Sequence, residues 1–294
     1  MANLKVLKEK LKSVKGTSKI TKAMKLVSTV KLKRAEELAK QSKAYDDALS
    51  EVLKEISLII SKYGASDFFG NKFSSKSKED IKTVDIIFVT SDKGMCGAFN
   101  AKTIKAVSNL IEKYEKKEYK IRLKIAGKKG NSYFSYRGYS VVNFISSAHP
   151  DYTQAATFIS ESIEDYDKGI TSEVILVHNG FKNKLIQELH IKQMLPFDIS
   201  NLKDYPVDSL LDIEPSDPKE ILDSLMKKYV EFSMYFSLID SLAAEHSARM
   251  QAMETATKNA NEVVRTLNIK YNKARQSAVT NELIEIISGV EAMK

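Results

Sequence analysis

KEILDSLMKKYVEFSMYFSLIDSLAAEHSARMQAMETATKNANEVVRTLNIKYNKARQSAVTNELIEIIS, residues 219 to 288, is 70 residues long and contains neither glycine nor proline. Those two residues punctuate a chain most strongly, so their absence over this length reads as one helix of about 105 Å at 1.5 Å per residue. Its apolar residues step alternately by three and four, from Leu222 and Leu225 through Tyr229, Phe232, Phe236, Ile239, Ala243, His246, Met250, Met253, Thr257, Ala260, Val264, Leu267 and Tyr271 to Ala274 and Ala278. This is a heptad seam of about eight repeats, interrupted in apolar character only at His246 and Thr257. Beyond Ala278 the pattern changes, because Leu283, Ile284, Ile286, Ile287 and Val290 spread around most of the helix. A surface apolar on all sides requires enclosure by another protein.

A heptad seam needs a partner helix, and the other end of the chain offers one. No glycine or proline occurs from Thr17 to Tyr63, 47 residues, or about 70 Å of helix. Leu4, Leu7, Leu11 and Val14 keep heptad spacing, the register is expected to shift near Ile20, and Tyr45, Ala48, Val52, Ile56 and Ile59 form a second stripe. The small residues Ala243, Ala260, Ala274 and Ala278 allow close approach. If Pro218 lies opposite Tyr63, an antiparallel pairing brings Ala2 opposite roughly residue 276 at equal rise. The seam ends there, at Ala278. His246 on this seam reads as a polar residue that sets register.

Between the helices, strand and helix patterns alternate. Residues 64–83, with Gly64, Gly70 and clustered Ser, Lys and Asp, read as a linker. Val84 to Thr90 reads as a strand, Ala101 to Tyr114 as a helix, Ile121 to Ala126 and Val141 to Ile145 as strands. Ala155 to Ile163 is a helix, Glu173 to Val177 a strand, and Leu185 to Gln193 an added antiparallel strand. Pro196, Pro206, Pro215 and Pro218 mark the return to the long helix. The expected fold class is α/β with long helices: an antiparallel coiled coil of residues 1–63 and 213–294, with a Rossmann-like α/β domain of mostly parallel sheet inserted at 84–212.

Charge and chemistry narrow the function. The chain has 294 residues, 43% hydrophobic and 29% charged, with a net charge of +8. Residues 1 to 40 carry eleven Lys and one Arg against Glu9, Glu36 and Glu37, a net of +9, so the remainder sums to −1. Such an arm suits an acidic partner. Nucleic acid is disfavoured, because the charges are almost all lysine and no aromatic residue precedes Tyr45 to stack on bases. No apolar run reaches the length of a membrane span, and no secretory or arginine-rich transit pattern opens the chain. The lone Cys96 fits a reducing compartment. Ser91 to Asn100, SDKGMCGAFN, follows the first strand but lacks both G-x-G-x-x-G and G-x-x-x-x-G-K-[ST]. It reads as a structural turn packing a helix on a sheet, with Asp92 and Lys93 as solvated turn residues and Cys96 as no nucleophile. His149, His178, His190 and His246 are scattered, with no metal-ligand spacing. Neither a catalytic constellation, a cofactor site nor a metal site is expected.

Four stretches carry a resemblance: KGTSKITKAMKLVS (Lys15 to Ser28), SDKGMCGAFN, AAEHSARMQAMETATKNA (Ala243 to Ala260) and YNKARQSAVTNELIEIISG (Tyr271 to Gly289). In order and spacing they resemble the gamma subunit of bacterial F-type ATP synthases. The resemblance implies a rotor shaft, not itself an enzyme, that couples proton flow through a membrane sector to ATP synthesis or hydrolysis. ATP would be made only on a surrounding hexamer of alpha and beta subunits, and the shaft would regulate ATPase activity and proton flow. It further implies binding of the α/β domain to the epsilon subunit and the c-ring. The location implied is the cytoplasmic face of the bacterial inner membrane, peripheral and without insertion. Met24 matches the family methionine facing the catalytic subunits, with Lys25 beside it as a further expected partner contact, and Arg249 matches the arginine across the coil. Arg275 and Gln276 match the pair that catches a beta-subunit loop, with Thr280 and Glu282 in the same region. Leu26 after Met24-Lys25, and Val30-Lys31-Leu32 in place of the usual S-K-M, are departures that imply mild changes of packing. A coiled-coil tether or nucleic-acid-binding structural protein would keep the helices but need no apolar tip. A nucleotide-binding enzyme with helical arms would need a complete phosphate loop.

Overall fold

The chain begins and ends in the two long helices, α1 (Ala2–Lys62) and α5 (Pro218–Glu291), of 61 and 74 residues. The structure is a computed structural model that describes residues 2–62, 81–196 and 218–293, with side chains over 4–53, 81–196 and 224–293. The expected linker up to residue 80, the 197–212 end of the expected α/β domain, and Pro206 and Pro215 lie outside the described residues. Between the helices run β1 (Thr83–Val89), α2 (Phe99–Glu115), β2 (Lys120–Ala126), α3 (Lys128–Tyr136), β3 (Val141–Ile145), α4 (Tyr152–Asp167), β4 (Glu173–Phe181) and β5 (Gln187–Leu195). The chain divides into two compact units, Val30–Ala248 and Met1–Thr29 with Arg249–Lys294.

Within Val30–Ala248 the strands form one sheet in the order β3-β2-β1-β4-β5. The first four strands are parallel, and β5 pairs antiparallel to β4. Alternation along the central strand sorts its apolar side chains onto two faces. Val84, Ile86 and Phe88 pack with Val107 and Ile111 of α2 and Phe134 of α3. Ile87 and Val89 pack with Phe158, Ile159 and Ile163 of α4, Met226, Val230 and Met234 of α5, and Leu49 and Leu53 of α1. Helices cover both faces, as a parallel sheet requires.

A charged cluster is buried on the second face. Asp85, fully buried, accepts hydrogen bonds from Ser162 at 2.8 Å and Thr171 at 2.9 Å and pairs with Arg122 Nε at 3.2 Å. Arg122 also pairs with Asp165, and the buried Lys124 with Glu161 at 3.3 Å. The cluster sits at the amino end of β1, whereas ligands of open α/β sheets bind beyond the carboxyl ends. It is therefore a structural network.

At the carboxyl end of β1 the chain fills the space with its own groups. The Ser91 amide donates to Asn100 Oδ1 at 2.9 Å, and the Ser91 hydroxyl donates to the Lys93 carbonyl at 2.7 Å. Asn100 Nδ2 donates to Ser91 Oγ at 2.7 Å. Met95 and Gly97 take the left-handed conformation, φ 62 and 58. Cys96 is 2% exposed and packs with Phe99, Ala244 and Ala248, so the turn fastens the start of α2 to α5, a contact beyond the helix-on-sheet packing expected. Asp92 corrects the sequence reading: its carboxylate accepts the Lys128 amide at 2.8 Å and the Ser146 hydroxyl, tying three loops together.

The helix α3 lies between two expected strands, where the sequence reading assigned no element. Gly127, at φ 107, lies where a Cβ would come within 2.0 Å of the Thr90 carbonyl oxygen. At Gly130 a Cβ would meet Phe88 at 2.8 Å. Both glycines serve close approach of α3 to β1.

The α1 seam differs from expectation. Its least exposed positions in this unit are Leu32, Ala35, Ala39, Ser42, Leu49 and Leu53, all at 8% or less. Tyr45, Ala48 and Val52, the expected second stripe, are exposed, and Ile56 and Ile59 lie outside the described side chains. Asp46 accepts a hydrogen bond from Ser233 at 3.1 Å, and burial pushes its carboxyl above the usual range despite Lys192 and that bond.

The histidines are also less scattered than the sequence suggests. Antiparallel pairing sets His178 of β4 directly opposite His190 of β5, ring centroids 5.1 Å apart. Asp240 of α5 lies 3.3 Å from His178 Nε2. Burial, then the neighbouring His178, holds the His190 imidazole below its ordinary value.

Candidate partner-binding surface

In the unit formed by residues 1–29 and 249–294, helix positions facing one another can be read from their bonds. The Ser18 hydroxyl donates to Asn261 Oδ1 at 2.7 Å, the Thr21 and Thr257 hydroxyls lie 2.7 Å apart, and Lys25 Nζ is 3.2 Å from Glu254 Oε1. The two residue numbers of each pair add to 278 or 279, and one falls as the other rises, so the helices are antiparallel. The same total, 279, holds for Asp46 and Ser233 in the other unit. Ala2 thereby falls level with residue 276 or 277, against the 276 expected from length alone.

From Ala260 onward the α5 seam is as expected, and Leu222 lies outside the described side chains. From Ala260 to Ala278 the residues of reduced exposure are Ala260, Val264, Leu267, Tyr271, Ala274 and Ala278, with Asn268 beside them. From Val279 to Met293 every residue is exposed. Val279, Leu283, Ile284, Ile286, Ile287, Val290 and Met293 are each at least 50% exposed.

On α1 the seam does not shift at Ile20; it continues through small hydroxylated residues. Thr21 is 8% and Ser28 3% exposed, whereas Ile20, Leu26 and Val27 are 62%, 61% and 57% exposed. Ile20, Ala23 and Val27 follow the spacing of one helix face, and that face points outward, with the half-buried Met24 at its edge. The α1 side of the coil is polar inward, against Met253 and Ala260 of α5, and carries apolar residues outward. Hydroxyls of this size admit close helix contact and satisfy one another, each such hydrogen bond contributing about 1 kcal/mol. The outward face has no such partner within the unit. Lysines at 5, 8, 10, 12, 15, 19 and 22 are exposed around it.

The residues singled out from sequence fall into three groups. Met24 is half-buried beside the seam, and Lys25 turns onto Glu254, a surface pair at 35% and 42% side-chain exposure, worth under about 1 kcal/mol. Arg249 is 8% exposed, so most of its surface is already in contact within the chain. It precedes Glu254 by five residues, about 7.5 Å along the axis. Arg275, Gln276, Thr280 and Glu282 are exposed, the first two flanking the seam residues Ala274 and Ala278. Sequence reading missed Glu254, the Ser18–Asn261 pair and the outward stripe. The available signal was the unbroken seven-residue spacing of Leu4, Leu11, Ser18, Lys25 and Leu32.

A family model described as ATP synthase matches residues 3–293. The chain is similar to the ATP synthase gamma chain of a Nitratiruptor species, 52% identical over 298 residues with 100% of both chains covered. It is similar also to the gamma chain of Wolinella succinogenes, 49% identical, covering 100% of this chain and 99% of the relative. Among solved structures, one chain of the Tetrahymena thermophila mitochondrial ATP synthase central stalk and c-ring matches at TM-score 0.60 and 25% identity, over 81% of this chain and 99% of that one. A chain of the Euglena gracilis mitochondrial ATP synthase in an OSCP, F1 and c-ring assembly matches at TM-score 0.68 over 99% and 95%, at 16% identity a likeness of fold alone.

Proposed function

From the premise that this chain belongs to the ATP synthase gamma-chain family, we infer that it is the central rotor shaft of an ATP synthase. A coil of two unlike helices has no threefold symmetry. Three identical catalytic subunits around it each meet a different face, and a third of a turn exchanges those environments. Binding energy at three sites is then coupled to rotation, because each shaft orientation favours a different state at each site.

The observation that carries this reading is the apolar exterior. An outward stripe at Ile20, Ala23 and Val27, and a tip from Val279 to Met293 without a partner helix, need a sleeve rather than a point contact. The alpha and beta subunits supply it in this reading. Met24, Lys25 and Arg249 face them along the shaft, and Arg275, Gln276, Thr280 and Glu282 meet a beta-subunit loop near the end of the seam. The α/β domain binds the epsilon subunit and the c-ring. Among the described residues no helix is long and apolar enough to cross a membrane; in this reading the chain attaches to the membrane sector at its cytoplasmic face through protein contacts. ATP chemistry belongs to the alpha-beta ring. The turn at Ser91–Asn100 supports that division, since its polar groups are spent on one another.

The test is co-purification. The full chain should capture an alpha-beta hexamer from its native membrane extract. A chain lacking residues 284–294 should keep its helicity and assemble more weakly, because the described residues 284–293 are all exposed and lie beyond the level of Ala2. Equal assembly of both chains would overturn the sleeve reading.

A further inference from the structure

Asp240 of α5, His178 of β4 and His190 of β5 offer one ligand atom each, all within 4.8 Å of one another. We propose that these three residues bind a divalent transition metal of the zinc class, fastening the β4–β5 hairpin to the long helix. No other group of three such side chains converges this way among the described residues.

The first support is the ligand set and its spacing. Two imidazoles and one carboxylate are a donor set zinc favours, with metal–ligand bonds of about 2.0–2.2 Å. Tetrahedral geometry then places ligand atoms about 3.4 Å apart. His178 Nε2 and Asp240 Oδ2 are 3.3 Å apart, already one edge of such a tetrahedron. His190 closes the set by a small rotation of its ring, which is free on the exposed side.

The second support is independent. Gly180 has no left-handed backbone to explain it, yet a Cβ there would come within 2.5 Å of both Asp240 Oδ2 and His190 Nε2. Glycine keeps open the space between two of the three ligands. The carboxylate is held in place from its other oxygen, where Asp240 Oδ1 accepts the Phe181 amide at 2.9 Å.

The surroundings tolerate a cation. The cluster opens into a cavity of about 840 Å³ whose charged lining is Lys43, Lys182 and Lys192 against Asp46, Glu188 and Asp240. Lys182 is paired with Glu188, and the Lys192 ammonium lies over the Tyr229 ring at 4.7 Å. The fourth coordination position faces this cavity, open to water.

The experiment uses the full purified chain, stripped with chelator, and Co²⁺ and Zn²⁺ as the probes. Calorimetric titration should show one equivalent of Zn²⁺ bound, and Co²⁺ should give the visible absorption of a four-coordinate nitrogen–oxygen site. His190→Ala, at an exposed position, and Asp240→Asn, which keeps the acceptor for Phe181, should each weaken Zn²⁺ binding by about tenfold or more. His149→Ala, at an exposed histidine elsewhere, should leave it unchanged. Zinc should raise the thermal midpoint of the parent chain but not of His190→Ala. No saturable uptake, or uptake that survives His190→Ala, would overturn the site.

Discussion

Replacing Thr21 and Thr257 by cysteine, in a chain carrying Cys96→Ser, tests the register that the shaft depends on. The two hydroxyl oxygens are 2.7 Å apart. Sulfur sits farther from Cβ than oxygen does, so two thiols there can reach the bonded distance of about 2.05 Å without backbone movement. The residues are 236 apart in sequence, and a loop of that size loses about 5 kcal/mol of unfolded-state entropy on closure, before strain. Loss of the threonine hydrogen bond offsets about 1 kcal/mol. Oxidation should therefore raise the midpoint of the helical transition by roughly 10 °C, from about 2–4 °C per kcal/mol in a chain of this size. Non-reducing electrophoresis and melting followed at 222 nm, with and without reductant, measure both effects. Once assembled, the oxidised chain should couple as the parent does, because both helices belong to one rotating body. A pair that stays reduced, while Thr21→Cys with Val264→Cys one heptad away oxidises, would refute the register and the seam built on it.

Gly130→Ala forces a Cβ to within 2.8 Å of both Phe88 and Thr90 Oγ1; urea melts should show a loss of about 1–3 kcal/mol, as for other overpacked sites. Asp46 is held above the ordinary carboxylate range by burial, so the native state keeps the proton more tightly than the unfolded chain. Its ionisation therefore costs stability as pH rises through the window above 3.8. Asp46→Asn should melt higher than the parent at neutral pH, and the gain should vanish below that window; a lower midpoint at neutral pH would show that the attraction of Lys192 and the Ser233 hydrogen bond outweigh burial. Arg275→Ala with Gln276→Ala should leave helicity unchanged, since both are exposed, and should slow ATP synthesis in reconstituted vesicles about tenfold through lost charge-assisted hydrogen bonds. Unchanged synthesis would mark these side chains as ordinary solvated surface.

Much of this architecture is readable in the chain because burial and periodicity coincide there. The α5 seam from Ala260 to Ala278 and the strands of the sheet follow from spacing of apolar residues, and the antiparallel register from the lengths of the two helices. The seam of α1 is harder, because Ser18, Thr21 and Ser28 occupy it while Ile20 and Val27 lie outside. An apolar-inside rule inverts the helix wherever a second protein is to cover its outer face. α3 escaped because its glycines, needed for close approach to Thr90 and Phe88, look like breaks. The convergence of His178, His190 and Asp240 depends on strand register and on a helix 50 residues beyond His190, neither of which a spacing motif encodes. Of the candidate contact residues, the sequence located the exposed Arg275, Gln276, Thr280 and Glu282. It gave no sign that Lys25 would be taken by Glu254.

The antiparallel seam also sets a timetable for the ribosome. Ser18 must wait for Asn261, which is 243 residues later in the chain. At 5–20 residues per second that delay is about 12–50 s. Throughout it Leu4, Leu7, Leu11 and Val14 have emerged with no partner helix to cover them. Seven lysines from Lys5 to Lys22, all exposed and opposed only by Glu9, lie among and just beyond those residues. Charge beside an apolar stripe acts as a gatekeeper against self-association of nascent chains. The basic arm thus guards the shaft before it exists, and only afterwards presents its charge to whatever turns around it.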